Sequence, residues 1–203
     1  METTQITPEF IGFNKIGRLS RECVVSEKID GTNGSIYITP DLQFFVGSRT
    51  RWLSETTDNY GFYKWATDHK DELMTLGPGR HFGEWWGQGV QRNYGLKEKR
   101  FSLFNTIRWC LHGAQPQIIS TDEKGVAKMQ QELPACVGLV PVLWRGLFDT
   151  QKINEVLLSL WEKGSTAAPG FMNAEGIVVF HTAANVMFKK TIGNDGAKGN
   201  RAV

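Results

Sequence analysis

The sequence predicts an α+β fold of largely antiparallel sheets, and three observations carry that prediction. Short runs rich in Val, Ile, Phe and Trp recur along the chain, and several are joined by tight turns. Only two stretches place apolar residues at helical spacings of three and four. The strand runs also come in groups with helices between the groups, rather than alternating one for one as a parallel doubly wound sheet requires.

Strand patterns cover 23–29, 34–39 and 43–48, the last two separated by the turn TPDL. In YGFYKWATDHKDELMTL, Phe62, Ala66, His69, Leu73 and Leu76 fall on one helical face, and GPG ends the helix. RHFGEWWG reads as a short strand, QGVQRNYGLKEKR as a polar loop and FSLFNTIRWCL as one strand of period two. GAQPQIISTDEKG reads as loop and ACVGLVPVLWRG as another single strand. Residues 151–162 form a helix with Ile153, Val156, Leu157, Leu160 and Trp161 on one face, and 174–192 close the chain as a hairpin around AAN.

At 203 residues the chain is long enough for a sizeable core, and no repeat, linker or low-complexity segment divides it. A net charge of +2 permits a nucleic-acid partner without arguing for one, because that depends on where the cations cluster. Seven Trp and twelve Phe serve cores, and they also stack on bases. Cys23, Cys110 and Cys136 lie far apart, which gives neither a zinc site nor a disulfide framework and points to reduced thiols in a cytoplasmic setting. No apolar run reaches the ~18 residues of a membrane span, and the N-terminus lacks the pattern of a signal peptide.

The residue that asks for a function is Lys28, set between a strand and the turn IDGTNG. Alone it is either a solvated charge or a fixed nucleophile. Downstream, in order, come SRTR (48–51), FGEWWGQGVQRNY (82–94), FSLFN (101–105), AEGIVV (174–179) and FKK (188–190). This series resembles the motifs of the covalent nucleotidyltransferases, the polynucleotide ligases and mRNA capping enzymes. EKIDGTNG together with AEGIVV is most similar to the RNA ligases. The resemblance spans residues ~23 to ~191. It implies a nucleotidyltransferase (ATP-grasp-like ligase) domain of antiparallel sheets flanked by helices, and ATP-dependent RNA ligase chemistry in RNA repair.

The same resemblance implies roles for particular residues. Lys28 would attack the α-phosphorus of ATP and carry AMP, splitting one hard step into two easier ones. Glu175 would hold Mg²⁺ or Mn²⁺, largely through water. Lys189 would neutralise charge developing on the phosphate, and Arg49 would bind a phosphate through its planar fork. Glu84 would accept a hydrogen bond from the ribose. Asp30 would orient the turn or the ribose, and Gly31 and Gly34 would let the backbone turn tightly beside the nucleotide. Glu27 reads as an adenine-side contact or as an exposed strand carboxylate. Phe101 reads as the ring that stacks on adenine, with Phe104 the other candidate, because alternation points the two opposite ways. Asn33 would face the acceptor side or serve only as a turn residue. Arg51 and Arg92 would bind nucleic acid or lie on an ordinary solvated surface.

One departure stands out. The family pattern is Lys-x-Lys where this chain has Lys189-Lys190-Thr191, so the nucleotide role assigned to Lys190 conflicts with strand alternation. Thr191, Lys198 and Arg201 are the other candidates.

Only fourteen residues follow Lys189, too few for the OB domain of DNA ligases and capping enzymes. Residues 1–203 are therefore expected to be a single nucleotidyltransferase domain without an accessory domain, and a partner protein or second copy would take over that domain's grip. The expected substrate is nicked or broken RNA. The alternatives are nicked DNA or RNA–DNA hybrids, or a degenerate module that binds nucleotide or RNA ends.

Overall fold

The structure, a computed structural model, describes residues 9–193. β1 (Glu22–Lys28), β2 (Thr32–Ile38) and β3 (Phe44–Gly47) occupy the three N-terminal strand runs. They are followed by α1 (Phe62–Asp68) and α2 (Lys70–Met74), where the sequence predicts one continuous helix. The break is at His69, whose backbone leaves the helix at φ −107°, ψ 20° while its Nδ1 lies 2.9 Å from the Trp65 carbonyl oxygen. Phe62, Ala66, Leu73 and Leu76 remain buried across it. The apolar spacing reported the buried face and was blind to a one-residue interruption.

β4 (Gly79–Gly87) and β5 (Lys99–Leu103) follow, then β6 (Trp109–Cys110), β7 (Ile118–Thr121), β8 (Ala127–Met129) and β9 (Gln131–Glu132). FSLFNTIRWCL is thus two strands with a turn between them, and the expected loop GAQPQIISTDEKG contains β7. ACVGLVPVLWRG also divides, into β10 (Val137–Leu139) and β11 (Val142–Leu147). Pro141 lies at that break: it has no N–H for a ladder, and its carbonyl accepts the Glu27 N–H at 2.9 Å. α3 (Thr150–Lys163) is capped by the Asp149 carboxylate, which accepts from the backbone N–H of Gln151 and Lys152. Ile153 and Leu160 of α3 are buried, whereas Trp161 is exposed, off the face assigned to it. β12 (Gly176–His181) and β13 (Val186–Thr191) form the closing hairpin.

Two sheets carry the fold. A four-stranded antiparallel sheet runs β11-β1-β12-β13, and a five-stranded one runs β10-β5-β4-β2-β3 with β10 parallel to β5. α3 covers one face of the first, enclosing Cys23, Val25, Ile177 and Val179. α1 and α2 cover one face of the second, enclosing Ile36, Ile38, Phe62, Trp85, Phe101 and Leu103. A smaller cluster of Ile29, Trp86, Tyr94, Val140 and Ala168 lies beside the β1–β2 connection. Among the described residues no helix is long and apolar enough to cross a membrane.

Candidate active site

Residues 29–31 carry the chain from β1 in one sheet to β2 in the other, so Lys28 stands where the two sheets meet. It pairs across the ladder with Gly176, which brings the preceding residue, Glu175, beside it. The Lys28 Nζ donates to Glu175 Oε2 at 2.6 Å, and both side chains remain partly open to solvent.

Glu84 approaches from the other sheet. It sits opposite Asn33 in the β2–β4 ladder; its Oε1 accepts the Gly31 N–H at 3.0 Å and its Oε2 accepts Asn33 Nδ2 at 3.1 Å. Burial pushes its carboxyl up to about 7, with Glu175 and Asp30 adding to the rise, while Lys28 and the Gly31 N–H pull the other way. Gly31 is required here by close approach. A Cβ on it would run into the Trp85 carbonyl oxygen and come within 2.8 Å of Trp86 Cβ. Gly34, expected in the turn, lies instead within β2, where its missing side chain lets the Phe62 and Phe101 rings pack on the backbone.

Several expectations are corrected by register and burial. Phe101 is fully buried against Phe62, with ring centroids 4.9 Å apart, and cannot stack on a nucleotide. Ser102 pairs with Glu84, so Phe101 points to the core face; Phe104, whose N–H donates to the Phe82 carbonyl, shares the Glu84 face and is exposed. Phe104 is the available ring.

Glu27 is not an exposed carboxylate. It is 1% exposed, and it accepts from the Ser165 hydroxyl, the Thr166 N–H and the Ala167 N–H, which fixes the segment after α3. Those bonds leave it no adenine-side opening. Lys190 pairs with Ile177, placing it on the α3 face, away from Lys28. Lys189 pairs with Val178, itself opposite Ser26, and so shares the Lys28 face with Thr191.

Arg92 is not a free basic contact. Its Nε donates to Asp30 Oδ2 at 2.8 Å, and its Nη1 donates to the Asn173 carbonyl and Oδ1 oxygens at 3.1 and 2.9 Å. Asp30 is accordingly spent on Arg92, and its N–H donates to the Tyr94 hydroxyl at 2.7 Å. The Arg92–Asp30 bridge ties the β1–β2 connection to the segment entering β12. Arg49 and Arg51 are exposed, in a turn leaving β3 at Gly47 and closed by the Ser48 N–H donating to the Arg51 carbonyl at 2.8 Å.

Two contributors were not visible in the sequence. Tyr94 lies in a run where Gln91, Asn93 and Tyr94 all take positive φ (43°, 62° and 52°), a strained path that buries its ring and aims its hydroxyl at Asp30. Ser165 serves Glu27 across 138 positions of sequence. Nothing local marks that pairing, and Tyr94 falls in the stretch read as a polar loop.

A family model described as RNA ligase matches residues 21–191. The chain belongs to the RNA ligase family. It is similar to a lysine-to-alanine variant of Naegleria gruberi RNA ligase solved with ATP and Mn (TM-score 0.57, 22% identity, 85% of this chain and 49% of that one). It is also similar to another such variant solved apo (TM-score 0.57, 20% identity, 91% and 57%), and to that ligase with PPi (TM-score 0.55, 21% identity, 91% and 57%). The chain thus spans about half the length of these structures. At such identity the likeness shows a shared fold, the α+β RNA ligase fold. A comparison with curated protein sequences finds no match.

In this RNA ligase domain, no group of three or more His, Cys, Asp or Glu among the described residues forms a metal cage. Mg²⁺ needs no cage, because it takes one or two carboxylates beside water and phosphate oxygens. Glu175 fits that use: its carboxylate is partly open to solvent at the sheet junction and already faces a cation, the Lys28 ammonium.

Proposed function

We propose that this chain is an ATP-dependent RNA ligase that joins 5′-phosphate and 3′-hydroxyl ends through a Lys28–AMP phosphoramidate and an adenylated 5′-end. The observation that carries this reading is the 2.6 Å contact of Lys28 with Glu175 at the sheet junction, faced by buried Glu84. Lys28 leaves Glu175 and gives up a proton to become the nucleophile. Its nitrogen bonds to the α-phosphorus, the bond to the bridging oxygen breaks, pyrophosphate leaves, and the nitrogen sheds its second proton. Lys189, on the same strand face as Lys28, offsets charge on the phosphate, and exposed Phe104 stacks on the base. Glu84, held by Gly31 and Asn33, receives a ribose hydroxyl. Arg49 and Arg51 bind phosphates of the strand. Glu175 would hold a divalent ion, which when bound would neutralise charge on the triphosphate. AMP then passes to the 5′-phosphate, and attack by the 3′-hydroxyl releases it.

A panel of nicked duplexes that differ only in the 2′-hydroxyls near the nick tests the substrate class. Sealing that requires ribose at the nick supports the reading. Equal sealing of all-DNA nicks would replace it with a DNA ligase, and self-adenylylation with no sealing of any member would remove strand joining from the account.

A further inference from the structure

The cleft face of the five-stranded sheet continues past the candidate site. Asn33 and Glu84 form one cross-strand row, Ser35 with Phe82 and Gly47 the next, and Tyr37 with Phe45 and Arg80 the third. Successive rows are two residues, about 6.8 Å, apart along the strands. Trp52 folds back beside Gly47. A Cβ on Gly47 would come within 3.1 Å of the indole, so its absence lets Trp52 lie flat on the sheet.

The rings are ordered against one another. Tyr37 lies 6.1 Å from both Phe45 and Trp52, stacked in each case, and Phe45 lies 5.5 Å from Trp52. Arg80 holds its guanidinium 4.1 Å from the Tyr37 centroid and 5.4 Å from that of Trp52. Such a cluster would ordinarily be core, yet Phe45, Trp52 and Phe82 are 38%, 48% and 54% exposed. Aromatic faces kept open beside a guanidinium, and continuous with the row that holds Asn33 and Glu84, meet the demands of a base-stacking platform.

We propose that this surface binds an unpaired RNA strand running to the reacting ends, its bases stacking on the exposed rings of Trp52, Phe45 and Phe82 and a phosphate meeting Arg80, which is held over Tyr37. The occupant is single-stranded because in a duplex the base faces are already stacked on one another, whereas an unpaired strand offers them to the rings. The choice of RNA rests on the ligase reading, but the platform is tested independently of it.

The experiment compares the wild-type chain with Trp52→Ala and Trp52→Phe. Three readouts are taken: binding of a fluorescent eight-nucleotide RNA, binding of a nicked RNA duplex without unpaired flanks, and self-adenylylation with α-labelled ATP. Trp52→Ala should weaken single-strand binding about tenfold, the loss expected for one base–aromatic stack. Duplex binding and self-adenylylation should stay unchanged, and Trp52→Phe should recover most of the affinity. Equal loss on strand and duplex, or no loss on either, overturns the proposal. A wild type that binds the strand through Trp52 yet takes no AMP supports the platform while removing the ligase reading.

Discussion

On one face of the five-stranded sheet, Ile36, Trp85, Phe101 and Leu103 are sealed beneath α1 and α2. On the other face, one residue out of phase, Asn33, Glu84, Phe82 and Phe104 look toward Lys28 or toward solvent. The same contrast divides neighbours in the four-stranded sheet. Glu27 turns to the segment after α3 while Lys28 turns to the cleft, and Lys190 lies on the α3 face while Lys189 does not. In this fold chemistry and structure are separated by strand parity, so residue type alone does not assign a role. Two glutamates make the point: Glu27 meets three donors and is a fastener, whereas Glu84 meets two donors and two neighbouring carboxylates in a buried place, which pushes its carboxyl up to about 7.

The contrast can be broken most forcefully at the two phenylalanines. Phe101→Ala should cost about 3–5 kcal/mol, the usual loss for a fully buried ring, measured by urea unfolding. Phe104→Ala should cost under ~0.5 kcal/mol of stability while raising the KM for ATP about tenfold, as a lost base stack would. A large stability loss for Phe104→Ala with KM unchanged would reverse the assignment. Glu27→Ala comes next. It leaves the Ser165 hydroxyl and two backbone N–H groups without their acceptor, a loss on the order of 3 kcal/mol, again read by urea unfolding. A fully stable Glu27→Ala would return Glu27 to the list of ligand contacts.

The smallest effect sharpens the comparison through pH. Burial raises the Glu84 carboxyl from 4.5 to about 7, so the folded chain binds that proton more tightly than the unfolded chain does. Its contribution to stability is therefore fully present below pH 4.5 and is lost as pH rises through about 7. Between pH 5 and pH 8 the wild type should lose on the order of 2 kcal/mol from this group. Glu84→Gln, which does not ionise, should flatten that slope, as chemical denaturation at several pH values would show. An identical slope in the variant would mean that Glu84 titrates as it does in water.

Much of this was legible in the sequence, for physical reasons. A turn rich in Gly, Asp and Asn after a strand identifies itself, so Lys28 was found at a strand end with Gly31 behind it. The hairpin around residues 182–185 was equally plain. What failed was whatever depends on where a strand stops. FSLFNTIRWCL breaks after Leu103, and Phe104 then falls on the cleft face, which the sequence left as one of two options. The internal partners of charged residues were also invisible. Glu27 reads as an adenine-side contact or an exposed carboxylate, and Arg92 as a nucleic-acid contact or a solvated charge, because their partners, Ser165 to Ala167 and Asp30 with Asn173, are assembled only by folding.

The central claim, that the cleft face of the sheet junction presents Lys28 as the acceptor of AMP, has a direct measurement. Wild type and Lys28→Ala are incubated with α-labelled ATP and Mg²⁺ or Mn²⁺, and acid-labile label on the protein is counted after denaturation. The account predicts up to one AMP per wild-type chain and none on Lys28→Ala, with circular dichroism showing the variant folded. Label on a folded Lys28→Ala chain at the wild-type level would contradict it.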